Sequence, residues 1–195
     1  MTIDINNFEK QADVIALLVG GWSVERQVSL DKGREVEAAL KQAGYQVELV
    51  DVTKDLPDLI AQLSRIQPDV VFNNLHGQGG EDGQMQSVLE ILGYAYTHSG
   101  VLASAVGMDK SLCKKLVAVE GVSVAEEYIC TPQDALVQTV IKAPYVVKPV
   151  AEGSSAGVRI IMEHDNHPAL DQKDWVFGEN VMVEKYIPGR ELTVA

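Results

Sequence analysis

The chain has 195 residues, 46% hydrophobic and 23% charged, a balance that supports folded domains and excludes disorder on a large scale. A formal charge of −12 at pH 7 excludes a general nucleic-acid or anionic-membrane binder, since both need a basic footprint; any phosphate site must be locally basic. The length leaves room for one large core or two smaller ones, and two domains are the expectation.

Residues 1–12 read as a loose polar lead-in. The continuous apolar run 14–19, ending at Gly20-Gly21, predicts a buried parallel strand. After the loop Trp22 to Gln27, a helix is expected from about Ser29 or Leu30 to Ala43, with Val36, Ala39, Leu40 and Ala43 on one face and Gly44 as its stop. A strand over 47–51, a helix over 57–66 and a strand over 70–74 complete a βαβαβ order, which predicts a doubly wound parallel sheet with ligands at the carboxyl ends of its strands. Met85, Val88, Leu89 and Leu92 suggest a helix, 94–97 a short strand, and 101–120 mostly helix. A composition shift near Gly121 introduces short β-prone pieces at 125–130, 145–149, 158–162, 181–187 and 191–195, with a helix at 132–142, so a domain boundary is placed around 100–121. The last strand-like piece ends the chain without a cap or tail, and the second unit reads as unfinished.

Cys113 and Cys130 lack metal-knuckle or disulfide-framework spacing and fit a reducing cytosol. No apolar signal core opens the chain, and no apolar run approaches the ~18–20 residues needed to span a bilayer, so a cytoplasmic protein is expected. His76, His98, His164 and His167 show no paired metal-ligand spacing, and no metal site is expected in this chain.

Three segments carry chemistry. In Gly20-Gly21-Trp22-Ser23-Val24-Glu25-Arg26, Glu25 either pairs with a substrate ammonium over the ligand face of the sheet or is a solvated loop charge. Leu75-His76-Gly77-Gln78-Gly79-Gly80-Glu81-Asp82-Gly83 concentrates glycines that are entropically costly to order, which implies a close approach to this backbone. Neither the dinucleotide G-x-G-x-x-G fingerprint nor G-x-x-x-x-G-K-[ST] is present. The third is Tyr145-Val146-Val147-Lys148-Pro149, a strand delivering a lysine into the small-residue loop Gly153, Ser154, Ser155, Ala156 and Gly157. Such a loop brings backbone N–H groups and two hydroxyls close to a phosphate, with Lys148 as a point charge; the plainer alternative is a glycine-serine hairpin. An unpaired ammonium in a core strand would cost several kcal/mol, so Lys148 needs an anionic partner. Lys110 reads as a surface lysine at a helix start, and 181–187 as an edge strand or as a strand leading to a nucleotide base.

Taken in register, GGWSVERQVSL (20–30), LHGQGGEDG (75–83), MDK (108–110), VVKP (146–149), EGSSAGV (152–158) and VEKYIPGRELTVA (183–195) resemble the D-alanine–D-alanine ligases of the ATP-grasp superfamily. The resemblance implies an α/β architecture with an N-terminal substrate domain over 1–105 and a partial central ATP-grasp domain over 106–195, the C-terminal domain being absent. It implies ATP-dependent formation of D-alanyl-D-alanine for peptidoglycan: ATP phosphorylates one D-alanine carboxylate, and the amine of a second attacks the acyl phosphate. Glu25 then anchors the first D-alanine's ammonium, with Ser154 hydrogen-bonded into that arrangement and Val28 and His76 near the same subsite. Lys110 and Lys148 contact the ATP phosphates, Gly153 to Gly157 cover them, Glu184, Lys185, Tyr186 and Ile187 hold adenine, and Glu191 meets the ribose. The Mg²⁺ ligands belong to the family's third domain, so the chain is expected to be inactive alone. Dimerisation through the N-terminal domain is also implied. His98 stands where the family usually has a small residue. The alternatives are a ligase joining D-alanine to D-lactate or D-serine, and a non-catalytic binding fragment.

Overall fold

The computed structural model describes residues 14–137, 141–164 and 175–192, with side chains at 136 and 137 left aside. The lead-in, His167, residues 138–140 of the expected 132–142 helix and residues 193–195 of the last expected strand lie outside the described residues. The chain divides into two compact units, Met1–Ala105 and Val106–Ala195.

In the first unit, β1 (Val14–Gly20), β2 (Gln46–Val52) and β3 (Val70–Asn73) form a parallel sheet ordered β2-β1-β3. β1 is central, and its alternating side chains enter two cores, which is why its sequence is apolar without interruption. Ala16 and Leu18 pack with Leu59 and Leu63 of α2 (Leu56–Ile66) and Met85 and Leu89 of α3 (Gln84–Leu92). Leu17 and Val19 pack on the opposite face with Leu30, Val36 and Leu40 of α1 (Arg26–Gln42). Helices on both faces make this sheet doubly wound, as the βαβαβ order predicts.

The helix α1 starts about one turn before its expected Ser29, because its first turn is polar: Arg26 N–H donates to Ser23 O at 3.2 Å and Ser29 N–H to Glu25 O at 3.1 Å. Its expected apolar face also differs, for Ala39 is exposed while Ser29 and Gly33 are buried. Ser29 is fully buried because its hydroxyl accepts from Gly20 N–H at 2.9 Å and donates to Asn74 O at 2.6 Å. Asn74 answers by donating from Nδ2 to Ser29 O at 2.9 Å, which ties the ends of β1 and β3 to α1. Ser29→Ala strands two buried backbone groups and is expected to cost about 1–3 kcal/mol, read as a lower denaturant midpoint.

The expected strand at 94–97 is only a bridge, Val71 to Tyr96. The expected 101–120 helix is two helices, α4 (Val101–Met108) and α5 (Lys110–Val119), because Asp109 adopts extended backbone and its carboxylate caps Leu112 N–H at 2.9 Å.

In the second unit, β4 (Glu127–Cys130), β5 (Tyr145–Pro149), β6 (Arg159–Ile161) and β7 (Val181–Lys185) pair antiparallel in the order β4-β7-β5-β6. One face carries Tyr145, Val147, Ile161, Val181 and Val183 into a core with Trp175 and with Ala135 of α6 (Pro132–Val137). Glu191 and Leu192, the described part of the last expected strand, lie outside any strand.

Candidate active site

Two loops leave the carboxyl ends of β1 and β3, and Ser23 joins them. Its hydroxyl donates to His76 O at 2.7 Å and accepts from Glu25 N–H at 3.1 Å. Glu25 occupies the cap position of α1 without using its carboxylate as the cap. That carboxylate lies over Gly77, where an added Cβ would come within 2.9 Å of Glu25 Oε2 and where φ is +67°, so glycine is needed twice over. Glu25 Oε2 and His76 Nε2 are both buried without a hydrogen-bond partner. Buried polar atoms without partners are costly, and two on facing loops mark a place for a ligand.

The loops are braced from behind. Glu81 accepts from Gly77 N–H at 2.7 Å and Asp82 from Gly79 N–H at 2.8 Å, so these carboxylates are structural. Asn73, at the end of β3, donates to Gly80 O at 2.8 Å and accepts from Leu75 N–H at 3.1 Å. Arg26 binds Asp51 through two 2.8 Å hydrogen bonds and donates to Gly21 O at 3.1 Å. The hydrogen bond to Asp51 raises the guanidinium pKa further. Val28 is 47% exposed on α1. A cleft of about 430 Å³ in this unit, lined by Trp22, Lys54, Leu59 and Met85, is bordered by neither Glu25 nor His76.

In the second unit, the sheet face opposite the core carries charge. Register pairs Lys148 with Met182, Val146 with Glu184, and Glu184 with Glu127, so Lys148, Glu184 and Glu127 share that face. Lys148 forms an ion pair with Glu184, the anionic partner its strand position demands. The helix α5 contributes Lys110, whose Nζ donates to Glu152 O at 2.5 Å and whose N–H donates to Val150 O at 3.1 Å, latching the helix start to the small-residue loop. Burial, then the Lys148 charge, lowers the Lys110 pKa. Within the loop, Ser154 takes a left-handed φ of +54°, and an added Cβ at Gly157 would meet the Phe177 ring at 2.6 Å. Ser154 and Ser155 are exposed. Lys185 and Tyr186 leave β7 with their N–H groups on Glu126 O and Pro144 O, whereas Ile187 and Glu191 are exposed. A cleft of about 500 Å³ beside the loop is lined by Asp109, Ser111, Val150, Ala151 and Asn180, and Lys148 and Glu184 do not line it.

Sequence reasoning missed Ser23, Asn73, Ser111, Lys114 and Glu127. Lys114 had a signal in its spacing, four residues after Lys110 on one helix face. Glu184 is buried, which opposes its ionisation, yet hydrogen bonds from Lys114 and Lys148 hold its pKa below 4.5. A carboxylate depressed in this way stabilises the fold above the unfolded value and loses that contribution as pH falls from 4.5 toward the folded value. Glu184→Gln is expected to flatten this acid limb of stability, measured as denaturant midpoint against pH.

A doubly wound parallel unit followed by an antiparallel unit with lysines and glutamates on one sheet face and a small-residue loop between β5 and β6 defines an α/β protein of the ATP-grasp class. The family model described as "D-ala D-ala ligase C-terminus" matches residues 117–195. A D-alanine–D-alanine ligase of Chelativorans sp. (strain BNC1) is 51% identical over 183 residues, which are 93% of this chain and 58% of that protein. A crystal structure of the D-alanine–D-alanine ligase of Bacillus anthracis complexed with ATP superposes with TM-score 0.71 at 33% identity, covering 92% of this chain and 58% of that one. The VanG D-Ala:D-Ser ligase of Enterococcus faecalis superposes with TM-score 0.70 at 25% identity, covering 92% and 64%. The chain is similar to D-alanine–D-alanine ligases over more than nine tenths of its length, and it spans less than two thirds of the length of these relatives.

Proposed function

We propose that the protein takes part in ATP-dependent ligation of D-alanine to D-alanine, supplying the first D-alanine subsite and cations for the ATP phosphates. The observation that carries this reading is the pair of buried, unpartnered atoms, Glu25 Oε2 and His76 Nε2, on loops at the carboxyl ends of β1 and β3. Glu25 binds the substrate ammonium, for which a fixed carboxylate in a partly desolvated site is the matching partner. His76 and Val28 border the same subsite. Lys110 and Lys148 neutralise phosphate charge, and the loop from Gly153 to Gly157 covers it; phosphoryl transfer needs positioning and charge neutralisation above all. Glu184, Lys185, Tyr186 and Ile187 hold the base and Glu191 the ribose. Among the described residues no group of three or more His, Cys, Asp or Glu is arranged to hold a metal ion.

Calorimetric titration with D-alanine and with ATP tests the reading, and the chain by itself is expected to show no D-alanine-dependent phosphate release. Failure to bind either ligand would overturn it. A second reading, ligation of D-alanine to D-serine, draws on the likeness to the VanG D-Ala:D-Ser ligase. Product analysis with D-alanine, D-serine and D-lactate in competition separates the two. Among the described residues no helix is long and apolar enough to cross a membrane. A cytoplasmic location and a homodimer belong to the same proposal, to be checked by fractionation and sedimentation.

A further inference from the structure

Glu127 and Glu184 stand directly opposite each other on neighbouring antiparallel strands. Like charges in that relation destabilise a sheet unless a cation lies between them. Lys114 is that cation, with Nζ 2.5 Å from Glu127 Oε2 and 2.6 Å from Glu184 Oε1. Its ammonium donates hydrogen bonds to Ala125 O at 2.7 Å and to Glu184 Oε1, and Glu127 Oε2 completes the cluster as an ion-pair contact. Ser111 donates to the other Glu127 oxygen, Oε1, at 2.8 Å. All four charged side chains of the cluster are less than one fifth exposed.

The two lysines that touch Glu184 are held differently. Lys114, on α5, takes Oε1 and also meets Glu127 of β4 and Ala125 O just before that strand, while Lys148 takes Oε2 and is joined to the cluster at that oxygen. A phosphate would compete for the lysine with fewer contacts, and Lys148 stands near the small-residue loop and Lys110. We propose that Lys114 is a positioning residue of the nucleotide site, keeping Glu184 anchored and charge-balanced when Lys148 leaves Oε2 for the phosphates. This rests on the nucleotide reading given above. Release of Lys148 opens Oε2 to an N–H donor, while Lys114 keeps the carboxylate facing the same way. Other charges near Glu184 are Lys110 from α5 and Glu127 from β4, and neither replaces this bridge.

Two measurements test the inference. In nucleotide-free protein, the Glu184 carboxylate is titrated by ¹³C NMR in the unsubstituted chain and in Lys114→Met, Lys148→Met and Lys114→Arg. Lys114→Met is expected to raise the Glu184 midpoint more than Lys148→Met does, with Lys114→Arg near the starting value. ATP is then titrated calorimetrically into the same proteins and the double variant. Lys114→Met is expected to weaken ATP about tenfold, and adding Lys148→Met to it to cost less than about threefold more, because Lys148 is then committed to Glu184. A Glu184 midpoint that responds at least as much to Lys148→Met, or losses that multiply in the double variant, would overturn the inference. Should Lys114→Met fail to fold, Lys114→Gln provides the same comparison. Lack of ATP binding by the unsubstituted chain would remove the nucleotide reading itself, and with it the proposed role, leaving Lys114 a fold contact whose strength the NMR titration reports.

Discussion

In a complete version of the enzyme with the proposed function, Glu25→Ala is expected to lower kcat/KM for D-alanine by roughly 10²–10⁴, equivalent to about 3–5 kcal/mol, with little change in the denaturant midpoint. The size follows from what removal leaves behind. The substrate ammonium would enter a partly desolvated site whose matching charge has gone, an error far costlier than losing a surface pair. The small stability effect follows from the geometry, since Glu25 does not cap α1 with its side chain and its Oε2 has no partner in the fold. Removing a buried unpartnered oxygen relieves a cost. An activity loss below about threefold would make Glu25 a solvated loop charge after all. A large fall in the unfolding midpoint would make it structural.

Asn73→Ala is expected to destabilise the first unit by about 1–3 kcal/mol, since both ends of its amide serve the backbone of one loop and its loss leaves one buried N–H unpaired. Its Nδ2 holds Gly80 O, and its Oδ1 holds Leu75 N–H, the residue before His76. Gln86 also donates to Gly80 O at 2.8 Å, so the carbonyl keeps one partner and Leu75 N–H is the group left bare. D-alanine binding should weaken alongside stability, because His76 and Gly77 follow directly in the chain. Urea unfolding and D-alanine titration on one preparation give both numbers. A stable Asn73→Ala protein would show that the loop holds its shape through Glu81 and Asp82 instead.

The stretches legible in the sequence were those whose function is set by local pattern. The uninterrupted run of β1 could be read because a central parallel strand meets apolar neighbours on both faces. β5 could be read from Tyr145 to Pro149, with its lysine marked as needing an anion. The glycine-rich loop after β3 announced a close approach, and the structure shows that part of what approaches Gly77 is the chain's own Glu25.

What pattern did not reveal was polar and non-local. Ser29, Asn73 and Asn74 are buried because their partners are backbone groups at strand and loop ends brought near by the sheet, and no local periodicity encodes that. Ser23 looked like one more loop residue until folding placed its hydroxyl between His76 and Glu25. Asp109 broke an apparently continuous helical stretch through a single capping hydrogen bond, which averaging over 101–120 hides. The sequence by itself determined the order of strands and helices and the chemistry concentrated in the loops, because burial period and turn residues act over a few positions. Only the tertiary structure decided which charges meet. Glu127 faces Glu184 by the β4–β7 register, and Lys114 reaches both from α5, so the anion that Lys148 requires has a second cation of its own.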